Sequence, residues 1–165
     1  MFTDQNQADF KKQLAAGEEG EEEVANFLIE KCNFAVLPLY QFISKKTPGI
    51  FYNSYNFICP DLTCFRDGKV IFVDAKRKSR WVNFTGKLET GFDLKHFREY
   101  KKLQEKVNIP VFIVFNHHDK EPTGLFFTYI DNYSRIWDGT YNGSQKFQPL
   151  VFYNYKDLKS LEKFR

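Results

Sequence analysis

The sequence predicts an α/β sandwich, a mixed central β-sheet covered by helices. Three observations lead there. Segments with helical and strand periodicity alternate along the chain, an order typical of layered α/β folds. Asp67-Gly68 lies between two apolar runs, a strong signal for a two-residue hairpin. Val111 to Phe115 (VFIVF) is continuously apolar and opens after Pro110, as expected of a strand buried on both faces.

In chain order, residues from about Gln5 to Lys31 read as a first helix, interrupted near Gly17 and Gly20. Phe10, Leu14, Val24, Phe27 and Leu28 form its apolar stripe. Asn33 to Leu39 is a short strand closed by Pro38. Tyr40 to Cys59 reads as a long irregular stretch, a length usually tied to function. The hairpin runs from Pro60 to about Arg77, and Trp81 to Gly91 reads as a loop. Phe92 to Val107 is a second helix, with Leu94, Phe97, Tyr100 and Leu103 at helical spacing. After the VFIVF strand, Leu125 to Ile130 and Pro149 to Tyr155 read as strands, and Lys156 to Phe164 as a short closing helix. The expected organisation is one domain over residues 1–165. Its core spans roughly 10–130, with a strand and helix extension over 131–165.

Composition narrows the function classes. At 42% hydrophobic and 27% charged residues, the chain reads as a globular protein. A net charge of +3 excludes a polycation, so any nucleic-acid surface must be local. The candidates are Lys76 to Arg80 and the Lys95 to Lys106 segment. No apolar run is long enough to span a membrane. The polar first residues and the odd count of three cysteines lead us to expect reduced thiols in a cytoplasmic compartment.

The hairpin carries the chemistry. Folded about Asp67-Gly68, it pairs Arg66 with Lys69, Cys64 with Ile71 and Leu62 with Val73, and then brings Asp61 opposite Asp74. Opposed residues on one face lie about 4.5–5.5 Å apart at Cβ, so these two carboxylates repel unless compensated. A divalent cation such as Mg²⁺ suits such hard oxygen donors. Lys76, two residues after Asp74, points to the same face. On the first helix, Gly17 is followed by five Glu in six positions, most of them expected in solvent. Glu21 differs, because it falls in line with Leu14, Val24 and Leu28. We expect it to turn toward the hairpin's carboxylates.

Together, Gly20-Glu21 with Phe27-Leu28, Pro60-Asp61, and Asp74-Ala75-Lys76 at the end of an apolar strand resemble the PD-(D/E)XK nuclease superfamily. Thr90 to Phe115 looks like the helix and buried strand that follow in its small phage-type and Holliday-junction-resolvase-like members. The resemblance covers roughly residues 17–115. It implies a restriction-endonuclease-like three-layer α/β/α core and a Mg²⁺-dependent phosphodiesterase acting on DNA, with Mn²⁺ able to substitute. Asp61, Asp74, Glu21 and the Ala75 carbonyl would hold the metal. Lys76 would orient or deprotonate the attacking water and stabilise charge on phosphorus. The products would be a 5′-phosphate and a 3′-hydroxyl.

Secondary candidates for substrate contact are Lys78 and Arg80 beyond the strand, and His96 with Tyr100 on one face of the second helix. Lys45, Lys46, Tyr52, Asn53 and Tyr55 could stack on or grip unpaired bases. His117-His118-Asp119 reads as a strand end rather than a metal site. The alternatives are a junction resolvase, which would need a homodimer with two sites, a non-catalytic nucleic-acid-binding module on the same fold, and an interaction domain whose hairpin only mimics the motif.

Overall fold

The computed structural model describes residues 18–39, 49–141, 143–145 and 147–164. The first helix, α1, is described over residues 18–30. The part of that helix expected before residue 18, and Lys45 and Lys46, lie outside the described residues.

The central sheet has six strands, in the order β1 (Ala35–Pro38), β4 (Leu62–Arg66), β5 (Lys69–Lys78), β8 (Val111–His117), β9 (Gly124–Tyr129) and β14 (Lys159–Ser160). Only β5 and β8 pair in parallel; the other neighbours are antiparallel, so the sheet is mixed. Two cores sit on its two faces. On one, Val24, Ala25 and Leu28 of α1 pack on Leu62, Val73, Ala75, Phe112 and Val114. On the other, helix α2 (Leu94–Val107) sets Phe97, Tyr100 and Leu103 against Phe72, Ile113 and Phe115. This is the three-layer arrangement of a mixed sheet flanked by helices.

Two acidic residues of α1 fasten it to the sheet: Arg77 pairs with Glu19, and Asn116 donates from Nδ2 to Glu23. As expected, most of the Glu run faces solvent: Glu18, Glu19, Glu22 and Glu23 are exposed and Glu21 is half-buried. Gly20 lies directly over β5, where an added Cβ would meet the Arg77 Cβ at 3.0 Å.

The structure corrects four sequence expectations. The described part of the 40–59 stretch is a hairpin, β2 (Gly49–Tyr52) with β3 (Tyr55–Ile58). The segment from Trp81 to Gly91 holds β6 (Val82–Phe84) and the start of β7 (Lys87–Asp93), joined through Thr85 and Gly86, both at positive φ. A Thr-Gly turn lacks the Asn/Asp-Gly signature that marks such hairpins in sequence. Helix α2 begins at Leu94 rather than Phe92. Phe92 pairs with Val151 in a sheet, and Asp93 caps the helix by accepting from Lys95 N. The last segment is two short 3₁₀ turns, Tyr155–Asp157 and Leu161–Phe164, around the two-residue strand β14.

A second sheet, in the order β10 (Arg135–Trp137), β13 (Leu150–Asn154), β7 and β6, completes the layer beside α2. Val151 and Tyr153 bury in the core under α2, and Leu161 in the core under α1. Two further two-residue strands, β11 (Thr140–Tyr141) and β12 (Ser144–Gln145), pair with each other.

Candidate active site

The hairpin turn places the first pair of acids. Asp67 (φ 50°) and Gly68 (φ 71°) both adopt positive φ, the backbone of a tight two-residue turn whose twist suits antiparallel strands. The register follows from that turn: Arg66 faces Lys69, Cys64 faces Ile71, and Leu62 faces Val73. The ladder stops there, one pair before Asp61 and Asp74. Pro60 has no N–H to continue it. Asp61 instead uses its side chain: Oδ2 accepts from Ala75 N at 2.9 Å. This pins Asp61 beside Asp74 and leaves residues 74–78 of β5 without β4 along that edge, while β8 still pairs on the other.

Asp74 is fully buried. Its Oδ1 accepts a 2.7 Å hydrogen bond from the Tyr100 hydroxyl, delivered by α2. Its Oδ2 lies 2.7 Å from Lys76 Nζ. That contact has ion-pair distance without the direction of a hydrogen bond, so Oδ2 has no directed donor. Burial, and then the Asp74 and Asp61 charges, push the Tyr100 phenol far above its ordinary pKa, which keeps it a neutral donor. Tyr100→Phe is expected to cost about 1.5–3 kcal/mol of stability, the range for a hydrogen bond to a charged group. Urea melts of the two proteins check this, and equal midpoints would contradict it.

The site carries more acidic groups than its one ammonium can hold ionised. Burial lifts the Glu21 carboxyl to about 7, with Asp74 and Glu18 adding to the rise and Lys76 opposing it. Burial also raises Asp61 well above the carboxylate range; Asp74 and Glu21 add to this, while Lys76 and the Ala75 N–H oppose it. For Lys76, burial alone would lower the pKa, but Asp74, Asp61 and Glu21 outweigh it and hold the ammonium charged. Helix α1 covers the opposite face of the sheet, yet Glu21 lies within the field of Lys76 and Asp74.

This arrangement has a pH consequence. Between the ordinary carboxyl value of 4.5 and about 7, folded Glu21 keeps a proton that the unfolded chain has released. Its contribution to stability is therefore present at low pH and lost as pH rises through that window. In metal-free buffer, Glu21→Gln is expected to melt higher than wild type at pH 8 but not at pH 4. A Tm difference independent of pH would contradict this.

Among the described residues, no group of three or more His, Cys, Asp or Glu side chains is gathered closely enough to hold a metal ion by itself. The donor set still fits a hard cation. Mg²⁺ commonly takes one or two carboxylates and completes its shell with water and substrate oxygens. Asp61 and Asp74 are two such carboxylates, the Ala75 carbonyl lies between Asp74 and Lys76 in the chain, and Asp74 Oδ2 is a buried oxygen without a hydrogen bond.

Asp61, Asp74, Lys76 and Tyr100 thus come together, while Glu21 is linked to them through the charges of Lys76 and Asp74 rather than by a contact. Lys78 shares the face of Asp74 and Lys76 and is half-buried; burial and Lys76 lower its pKa to about 8, with Asp74 opposing. Arg80 is exposed beyond the end of β5. His96 is half-buried, its ring 6.0 Å from that of Tyr100. Lys95 and Arg98 do not join them; with Lys102, Gln148 and Pro149 they line a separate cleft of about 440 Å³. Lys101 is occupied by Asp131.

Sequence reasoning missed the surroundings of β5's far end. Trp81 stacks on His117 with ring centroids 3.7 Å apart, and His117 Nε2 lies 3.1 Å from Thr90 Oγ1. These residues come from three separate segments, and no local pattern joins them. Cys59, next to Pro60, has its thiol pushed up to about 12 by burial and by Asp61.

No family model matches the chain, and no curated protein sequence matches it. Among solved structures, the chain is similar to the 1.6 Å structure of Hjc, a Holliday junction resolvase from the archaeal hyperthermophile Archaeoglobus fulgidus. The match has a TM-score of 0.56 at 10% identity and covers 89% of this chain and 98% of that one. What the two share is therefore the fold, a mixed central sheet flanked by helices, over nearly the whole of both chains.

Proposed function

We propose that this protein is a divalent-metal-dependent nuclease that hydrolyses phosphodiester bonds in DNA. The observation that carries the reading is the packing of two carboxylates, Asp61 and Asp74, around one strand end with the Lys76 ammonium against Asp74. Acids packed this closely are costly to ionise together unless a ligand or a reaction uses their charge. The shared fold with a resolvase supports the same reading by analogy.

Asp61, Asp74 and the Ala75 carbonyl would hold Mg²⁺, with Mn²⁺ able to replace it and Glu21 completing the set through water. When bound, such an ion supplies Lewis acidity at the phosphoryl oxygen and lowers the pKa of bound water. Lys76, held as an ammonium, stabilises the charge that builds on phosphorus rather than taking up a proton. Glu21, titrating near 7, is matched to accepting a proton from water at neutral pH. Tyr100 orients Asp74 and does not itself reach substrate, since its side chain is buried. Arg80 and His96 are assigned to phosphate contact at the rim.

The test is cleavage of plasmid, single-stranded and branched DNA with Mg²⁺, repeated in EDTA. Cleavage that EDTA stops supports the proposal. A folded preparation that cleaves none of these with Mg²⁺ or Mn²⁺ overturns it. A second reading, a resolvase of four-way junctions, is favoured by the likeness to Hjc, a Holliday junction resolvase. It requires a homodimer with two sites, so sedimentation together with paired cuts on a synthetic junction separates it from a general nuclease.

A further inference from the structure

The row of side chains that begins with Asp74 and Lys76 continues. Lys78 is the next residue on that face, and one step of two strand residues advances about 6.5 Å. That step is comparable to the spacing of consecutive phosphates in a polynucleotide. Lys78 is half-buried, and among the described residues its ammonium has no ion pair or hydrogen bond. Its register partner on β8 is His117, whose side chain is 1% exposed. Thr90 occupies Nε2 of that ring, while Nδ1 is buried without a partner. Trp81 covers the ring, and the Trp81 Nε1 donates to the Pro122 carbonyl. The imidazole is kept neutral by burial and by Lys78, with a pKa of about 4. The ring beside Lys78 is therefore uncharged and enclosed. An unpaired, partly desolvated cation beside a neutral ring is suited to an anion that arrives with the ligand.

We propose that Lys78 binds the phosphate adjacent to the scissile one, so that the site takes a polynucleotide strand with consecutive phosphates lying along β5. This rests on the nuclease reading and adds to it a substrate requirement: the phosphate next to the cleaved bond must carry its charge. Lys78 holds the strand in place, while Lys76 acts at the reacting phosphorus. The neighbour of Lys78 on β8, His117, is itself held by Trp81 and Thr90, so the strand beside Lys78 is fixed by two further segments.

The experiment compares wild type and Lys78→Gln on a DNA that wild type cleaves, reading KM and kcat separately, and measures the salt dependence of binding with Ca²⁺ in place of Mg²⁺. The expected result is a KM raised about tenfold with kcat changed less than about threefold. The slope of log K against log salt should become shallower by about 0.7–0.9, the signature of one lost phosphate contact. An unchanged KM and slope in a variant of an active enzyme overturns the contact and leaves the nuclease reading standing. A fall in kcat at constant KM also overturns it, because Lys78 would then act at the reacting centre. Wild type inactive on every DNA brings down the nuclease reading and this inference with it. Should Lys78→Gln fail to fold, wild type is tested on oligonucleotides with a neutral methylphosphonate on either side of the scissile bond. One of the two should show the same KM rise, and neither doing so overturns the proposal.

Discussion

Asp74→Asn is expected to reduce DNA cleavage by a factor on the order of 10³ or more while the protein stays folded. The substitution is nearly isosteric. The amide oxygen still accepts from Tyr100, so the link between α2 and β5 survives. What disappears is a buried negative charge at the centre of the site, and with it the proposed hold on a divalent cation. Stability should change little, because two effects oppose each other. The 2.7 Å ion pair with Lys76 is lost, but Asp61 and Glu21 remain as counter-ions for that ammonium. At the same time a charge that raises both of their pKa values is removed. Both carboxyls should therefore titrate lower in the variant, which carboxyl ¹³C shifts followed against pH would read. Cleavage within about tenfold of wild type by a folded Asp74→Asn protein would contradict the assignment of Asp74.

Lys76→Met is expected to damage both activity and stability. Met keeps much of the aliphatic stem but removes the ammonium that offsets Asp74, Asp61 and Glu21. Breaking a buried ion pair from one side leaves the other charge uncompensated, at a cost of about 3–5 kcal/mol. The lower end applies here, because Lys76 retains 23% side-chain exposure and the carboxylates can take up protons. The variant should therefore melt well below wild type at pH 8, and the gap should narrow toward pH 5. Mg²⁺ supplies a second diagnostic. A cation that binds the folded state stabilises it by mass action. It should raise the Tm of Lys76→Met by more than that of wild type, since in the variant it faces carboxylates with no competing ammonium. Cleavage should stay low even at high Mg²⁺, because the charge at phosphorus has lost its partner. A variant that melts with wild type and is indifferent to Mg²⁺ would remove Lys76 from the site.

Much of the site's scaffold is legible before any coordinates. Asp67-Gly68 selects a two-residue turn, and turn length sets strand register, so the pairing of Leu62 with Val73 could be counted from the turn outward. The VFIVF run is a strand because an unbroken apolar segment of that length suits a position between two covered faces. The periodicity of α2 identified Leu94, Phe97, Tyr100 and Leu103 as its inward face, and all four are buried. The second sheet was not legible. Strand β7 pairs with β13 from the far end of the chain, through a register that no local pattern encodes. Strand β6 is short and exposed, so it shows no alternation of buried and exposed positions.

The sequence by itself determined which groups share a face: alternation along one strand puts Asp74, Lys76 and Lys78 on the same side, and a turn of known geometry carries Asp61 to them. Tertiary structure alone decided how those groups behave. Tyr100 reaches Asp74 only because α2 packs on that face, and Glu21 feels Lys76 and Asp74 only because α1 packs on the opposite one. Side-chain direction is a local property of the backbone. Burial, and the protonation that follows from it, depends on which distant segments exclude water from the site.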